Sequence, residues 1–388
     1  MSAYKKLKEW GFLTRRRLEA IVFLGLFLSF FGYIGHVMGV GNMLNTIMKT
    51  SHHLLVNTVF FIMGITVLSG ALSRLLIEFG VVRLLEVMMA PLMRPFYNLP
   101  GVASLAGLMS FFSDNPVVMS LTTDKNFSRY FRTHELISVT NFGTSFGMGM
   151  VVIAFMTGLG YFSGAMIGLA GAFVGGIVAT RLMQLFIKGK IPPERDFVPS
   201  GDEQKIVFCN QGSYFERFLN ALLDGGKSGV QLGLAIIPGV LVISSVIMII
   251  TFKAADPSVG YQGLAYEGVP ILPYLAGKLS GLFEVLYGFK HPELIAFPVT
   301  SLGAVGAALS LVKAFIAQGI IGINEVAVFS AMGMCWSGFL STHTAILDSL
   351  KFRSLTPRSL VAQTIGGLVA GVVAHYIVVV LSYFGWLA

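Results

Sequence analysis

Seven apolar stretches, at 19–40, 54–78, 135–158, 163–187, 229–252, 323–347 and 360–386, constrain this chain more than any other feature. Each is close to the ~20 residues that a helix needs to cross a hydrocarbon core of about 30 Å. In lipid every backbone N–H and C=O must be paired within the protein, so stretches of this length are expected to fold as spanning helices. Composition agrees: the chain is 12% charged and 55% hydrophobic, where a soluble domain is roughly a quarter charged, and its mean hydropathy is +0.77. The expected fold class is an all-α polytopic membrane protein.

The first stretch follows Lys5, Lys6, Lys8, Arg15, Arg16 and Arg17. A secretory signal also begins with a basic segment, but this stretch is too long for one and lacks a clear small-residue cleavage site, so it reads as a retained span. Cationic loops stay on the cytoplasmic side of a membrane. With the N-terminus inside, Arg74, Arg83, Arg94, Lys125, Arg129, Arg132, Arg181 and the basic residues of 188–228 and 348–359 all fall inside as well. Of the 27 Lys and Arg, only Lys49, Lys253, Lys278, Lys290 and Lys313 then fall outside. This predicts a multi-pass protein of a cell inner or plasma membrane with a cytoplasmic N-terminus and membrane lipid as its surroundings.

The net charge of +8 is thereby an orientation signal. A nucleic-acid binder would gather its basic residues on one face among aromatic stacking partners, and here they are scattered over inner loops, so no nucleic-acid partner is expected. The two cysteines, Cys209 in an inner loop and Cys335 within a span, lie at different levels and build neither a disulfide framework nor a four-ligand zinc site.

Two further apolar stretches, 100–123 and 292–318, are interrupted by residues that a spanning helix avoids. The first breaks at Ser113, Asp114, Asn115 and Pro116, where proline lacks an N–H and Asp and Asn favour caps and turns. The second carries Pro298, Thr300, Ser301, Gly303 and Gly306. Each arm is about half a membrane long, and the charge pattern puts both ends of the first stretch inside and both ends of the second outside. Both therefore read as re-entrant helical hairpins entering from opposite faces.

Each hairpin follows a span and a shorter Pro-containing amphipathic stretch, 80–97 or 269–290, and precedes two spans. HELISVTNFGTSFGMG and NEVAVFSAMGMCWSG follow the hairpins, pairing Glu135 with Glu325 and Gly143 with Gly333 at one offset. The division that results has a basic N-terminus and first span at 1–53, a first repeat at 54–187, a cytoplasmic linker at 188–228 and a second, inverted repeat at 229–388. The linker carries a candidate short amphipathic helix at 214–224. Inverted repeats with discontinuous helices are the plan of many secondary transporters, whose sites lie near the midplane.

PLMRPFYNLPG followed by SFFSDNPVVMSLTTD resembles the Gate domain of concentrative nucleoside transporters, ferrous-iron permeases and spore-maturation membrane proteins. The resemblance covers roughly 54–158 and 229–347. It implies an elevator-type core, two hairpins and two partly unwound helices around a midplane site, in a homo-oligomer that carries a small, nucleoside-like solute. The iron permeases have a cysteine where this chain has Ser113–Pro116, and the Gln/Thr/Glu-rich tips of the nucleoside transporters are not reproduced at 113–116 or 300–306.

Asp114 is the sharpest candidate, because a carboxylate deep in a membrane costs at least ~2.5 kcal/mol on insertion scales and normally faces a cavity or partner. It reads as an ion-coupling and substrate-contacting group, or as a cap for the outgoing arm. Ser113 and Asn115 flank it as substrate-binding candidates, with closure of the turn as the alternative for Asn115. Asn141, Thr144 and Ser145 lie in a glycine-rich stretch whose unwound carbonyls would suit Na⁺, and Asn141 joins Asp114 as an ion-coupling candidate; close helix packing is the alternative for the glycines. In the second half Thr300, Ser301, Trp336, Ser337, Ser341, Thr342 and His343 complete the substrate-binding set. Hydroxyls of this kind also bond carbonyls of their own helix, and His343 is either a substrate-contacting group or packed against a hydroxyl.

The leading functional expectation is a secondary transporter of a small polar solute, driven by Na⁺ or H⁺ and needing no resident cofactor. No GxxxxGK[ST] occurs to cradle a nucleotide, no HExxH occurs, and an enzyme would leave the hairpin symmetry unexplained, so the chain does not read as an enzyme. A non-transporting assembly factor and a metal-ion permease are the alternatives.

Overall fold

The computed structural model describes residues 15–189, 191 and 213–387. Lys5, Lys6, Lys8, Cys209 and most of the expected linker lie outside the described residues. Among those described, regular structure is helical, and β contact is limited to one bridge between Asp256 and Gly260. Seven helical stretches are long and apolar enough to cross a membrane: Arg17–Met38, Val40–Glu78, Thr133–Gly158, Phe162–Ile187, Tyr214–Ile249, Ile323–Ser349 and Arg353–Tyr383. They coincide with the seven stretches legible in the sequence, and the chain is a multi-pass integral membrane protein.

Helix α1 (Arg15–Met38) leads to α2 (Val40–His53), which passes through a π-turn at Leu54–Val59 into α3 (Phe60–Glu78). Then follow α4 (Val81–Leu92), α5 (Ser104–Phe112), α6 (Pro116–Thr123), the single turn α7 (Lys125–Ser128), α8 (Thr133–Thr144), α9 (Gly149–Gly158) and α10 (Phe162–Ile187). The order then recurs. A helix with a π-turn at Gly239–Ser244 joins α11 (Tyr214–Ala235) to α12 (Ser245–Ile249). It is followed by α13 (Ile271–Gly277), α14 (Ser280–Tyr287), α15 (Ala296–Gly303), α16 (Val305–Ala317), α17 (Ile323–Trp336), α18 (Phe339–Ser349) and α19 (Thr356–Tyr383). Helix α11 begins inside the stretch expected to be linker, on a Ser213 cap whose hydroxyl accepts the Glu216 N–H at 3.3 Å.

From α4 and α13 onward the elements correspond at the offset that pairs Glu135 with Glu325. Glu135 accepts the Arg132 N–H at 2.9 Å and Glu325 the Gly322 N–H at 2.7 Å, each carboxylate satisfying one of the orphan donors of a helix start. Further along, Met148 and Gly338 stand at the same offset, both left-handed (φ 53 and 62), and each begins the second segment of a broken helix. Asp114 corresponds to Ala304, the break between α15 and α16. There the structure differs from the expectation: Pro298, Thr300 and Ser301 lie inside α15, and the chain opens only at Ala304 (φ −164). Pro298 sits in the first turn, where a missing N–H leaves no bond unmade. The hydroxyls of Thr300 and Ser301 donate to Ala296 O at 2.7 Å and Pro298 O at 2.8 Å.

Glycine sets the two closest helix approaches. Helices α3 and α11 pack along each other, and a Cβ on Gly70 would lie 2.5 Å from the Gly225 carbonyl oxygen. The Thr66 hydroxyl crosses the same seam to Gly229 O at 2.8 Å. Helices α8, α10, α17 and α19 form the second group, where a Cβ on Gly175 would lie 2.6 Å from Gly366 O. Lipid tails are as apolar as leucine, so close backbone packing and interhelical hydrogen bonds are what hold such helices together. Every residue of α8 except His134 is buried, which makes it a helix enclosed by protein on all sides.

Candidate functional site

The turn between α5 and α6 is built by its own side chains. Asp114 Oδ1 accepts the Asn115 N–H at 2.7 Å, and Pro116 opens α6 where no N–H is needed. Asn115 is 1% exposed. Its Oδ1 accepts the Ser110 hydroxyl at 3.0 Å, and its Nδ2 donates to the Ser337 carbonyl in the break between α17 and α18. One turn residue therefore ties the first half to the second, while its neighbours Ser113 and Asp114 remain open.

Ser113 and Asp114 face a cavity of about 180 Å³ whose other walls are α3 and α11. Thr66, Ser69, Ser73 and Arg74 line it from α3, and Ser228 from α11. The Ser73 side chain is buried (3% exposed), and its hydroxyl has no hydrogen-bond partner. Buried polar groups nearly always find a partner, so an orphaned hydroxyl on a cavity wall marks a position where a further polar group can bind.

A second set of polar residues forms a closed network. Asn141 Nδ2 on α8 donates to Ser359 O at 2.9 Å and to Gln363 Oε1 at 3.1 Å on α19, and its Oδ1 accepts the Ser359 hydroxyl at 2.8 Å. Gln363 Nε2 donates to Ser145 Oγ at 3.1 Å and to Cys335 O at 2.8 Å. The His343 ring lies between two hydroxyls, Thr144 at 2.6 Å from Nε2 and Ser359 at 2.8 Å from Nδ1. The Trp336 indole N–H donates to Gln363 O at 3.2 Å. Asn141, Thr144, Ser145, His343, Ser359 and Gln363 are all fully buried, so the network ties α8 to α17, α18 and α19 without an opening of its own.

Of the residues singled out in the sequence, the structure brings Ser113 and Asp114 to the cavity. It places Asn115, Asn141, Thr144, Ser145, Ser337 and His343 in contacts between the halves, and Trp336 against Gln363 within the second half. Ser341 and Thr342 both donate to Gly338 O, at 3.1 and 3.0 Å, and so are turned back along their own helix. Thr300 and Ser301 are turned onto their own helix. Sequence reasoning missed Ser359 and Gln363, although a lone amide inside the last span was a signal, because polar groups at membrane depth normally face the protein interior. It also missed Thr66, Ser69 and Ser73, whose spacings of three and four residues put them on one face of the second span. Among the described residues no group of three or more His, Cys, Asp or Glu lies together to hold a metal ion.

No known family profile matches the chain. Over 103 residues it is 35% identical to the sporulation integral membrane protein YlbJ of Bacillus subtilis, a match that spans 25% of this chain and 24% of that protein. Solved structures are similar over nearly the whole length. A variant of CNTnw in an outward-facing state gives a TM-score of 0.55 at 15% identity, covering 93% of this chain and 86% of that one. CNTnw in an inward-facing, substrate-bound state gives 0.53 at 14% identity, covering 92% and 85%. Two states fit about equally, so the likeness is one of fold. The chain thus has the fold seen in the CNTnw structures, and a quarter of it aligns at 35% identity with a sporulation integral membrane protein.

Proposed function

We propose that the chain is an ion-coupled secondary transporter of a small polar solute in a cell inner membrane, with its N-terminus in the cytoplasm. Helices α5 and α6 are one re-entrant hairpin and α15 and α16 the other, entering from opposite faces. The repeats at 54–187 and 229–388 supply one each, joined through 188–228. Asp114 carries the reading: a half-buried carboxylate at a helix break, beside a polar cavity, is where an ion or solute gains most from binding. Ser113 shares that cavity, while Asn115, Asn141, Thr144, Ser145, Trp336, Ser337 and His343 brace the mobile core, in which the hydroxyls of Ser341, Thr342, Thr300 and Ser301 bond their own helices. Na⁺ or H⁺ at Asp114 couples the movement to a gradient, and the assembly is a homo-oligomer.

The test is Asp114→Asn. Uptake of nucleosides, amino acids and carboxylates is followed with and without Na⁺ in cells that express either chain. Loss of one charge-assisted contact, about 1.5–3 kcal/mol, lowers uptake of the transported solute by tenfold or more while the amount in the membrane is unchanged. Full uptake by the variant overturns the assignment. The match to a sporulation membrane protein favours a second reading, a non-transporting assembly factor, and such a factor tolerates Asp114→Asn.

A further inference from the structure

We infer that the ligand of the cavity beside Asp114 is a small amphoteric solute, bearing one ammonium and one carboxylate on a body of a few carbons; this rests on the transport reading above and names its substrate class.

Size is the first constraint. Sites for drug-sized ligands run to about 300–1,000 Å³, whereas this cavity measures about 180 Å³. The cavity is open on one side, and a compact solute fits within its inner part.

Charge is the second constraint. The cavity is lined by one carboxylate, Asp114, and one guanidinium, Arg74. Only one oxygen of Asp114 is engaged, by the Asn115 N–H. Among the described residues Asp114 and Arg74 form no ion pair with each other or with another side chain. A simple cation would answer Asp114 and leave Arg74 unmatched, and a simple anion would do the reverse. Arg74 is exposed and Asp114 half-buried, and a zwitterion brings a partner of opposite charge to each. The buried, unpartnered Ser73 hydroxyl is one turn from Ser69 on the same wall and supplies the neutral contact.

The experiment uses Ser228→Cys, at an exposed position on the cavity wall, in a Cys209→Ser background, which leaves Cys335 buried, and follows the rate of maleimide labelling in detergent. Alanine is expected to slow labelling. Alaninamide, which lacks the carboxylate, N-acetylalanine, which lacks the ammonium, and uridine are expected to leave it unchanged. Arg74→Gln should weaken protection by alanine about tenfold and bring alaninamide level with it; Asp114→Asn should do the same for N-acetylalanine. The chain with its native Ser228 supplies an independent readout, a rise in Tm with alanine that Asp114→Asn removes. Protection by uridine or by a singly charged analogue as strong as by alanine overturns the amphoteric class, and if that protection depends on Asp114 the transport reading stands. No protection or Tm rise with any of these solutes overturns the inference; if Asp114→Asn is also without effect on uptake, the transport reading falls with it.

Discussion

Replacing Gln363 with leucine separates the two roles that the buried polar network could have. The side chain makes three hydrogen bonds, donating to Ser145 Oγ and Cys335 O and accepting from Asn141 Nδ2. Hydrogen bonds between membrane helices average about 0.6 kcal/mol each, so their loss costs about 2 kcal/mol. Leucine recovers little of this, because the separated helices would place it in lipid tails that are equally apolar. The Trp336 bond survives, since it ends on the Gln363 backbone. Reversible unfolding in mixed detergent and SDS micelles measures the difference. Because Asn141 and Gln363 share a bond, Asn141→Leu combined with Gln363→Leu should cost about 0.6 kcal/mol less than the sum of the single changes. Wild-type stability for Gln363→Leu together with lost uptake would refute the reasoning: the network would then face a ligand rather than brace the bundle.

Three further outcomes follow from the breaks in the helices. Gly147→Val places its Cβ within 2.8 Å of Ser337 Cβ, between the two broken regions; it should cost about 1–3 kcal/mol, read as a fall in Tm. Gly338→Ala, at φ 62, should cost about 1–2 kcal/mol by the strain of a left-handed alanine, and an unchanged unfolding midpoint would contradict the break described at that position. Glu135→Ala should cost more than Glu325→Ala, because Glu135 caps its helix and also pairs with Arg94 at 2.5 Å; each loses about 0.5–2 kcal/mol of capping, measured by the same unfolding assay.

The spans and the first helix break were legible because lipid enforces a simple rule: a helix needs about 20 apolar residues, and a proline beside Asp and Asn cannot continue one. Their observed positions follow that rule, down to the break at Ser113–Asn115. The second break was harder to locate. Pro298 and two hydroxyl residues look like interruptions in a string of letters, yet proline is silent in a first turn and the hydroxyls return to their own carbonyls. Pairing across the bundle was not legible. Nothing local in the last span connects Ser359 and Gln363 to Asn141, since the choice of partner is made by the rotation of α19 against α8.

The correspondence between the halves also shows where the duplication stops. Geometry is repeated: the carboxylate caps at Glu135 and Glu325, the left-handed residues Met148 and Gly338, and a break in each short helix pair. Charge is not, for Ala304 stands where the first half has Asp114. The break at Ala304 packs toward Gly239 in the π-turn after α11. On the same face the Ser310 hydroxyl lies 3.0 Å from Ser244 Oγ, and Ser244 donates to Ala307 O. A second carboxylate there would be forced against an apolar seam, with no hydrogen-bond donor among these neighbours other than hydroxyls already engaged, at a cost of several kcal/mol. The two halves therefore divide the work physically. One presents a carboxylate to a cavity, and the other closes a neutral tip onto its neighbour, so that Asp114 has no counterpart in the second half.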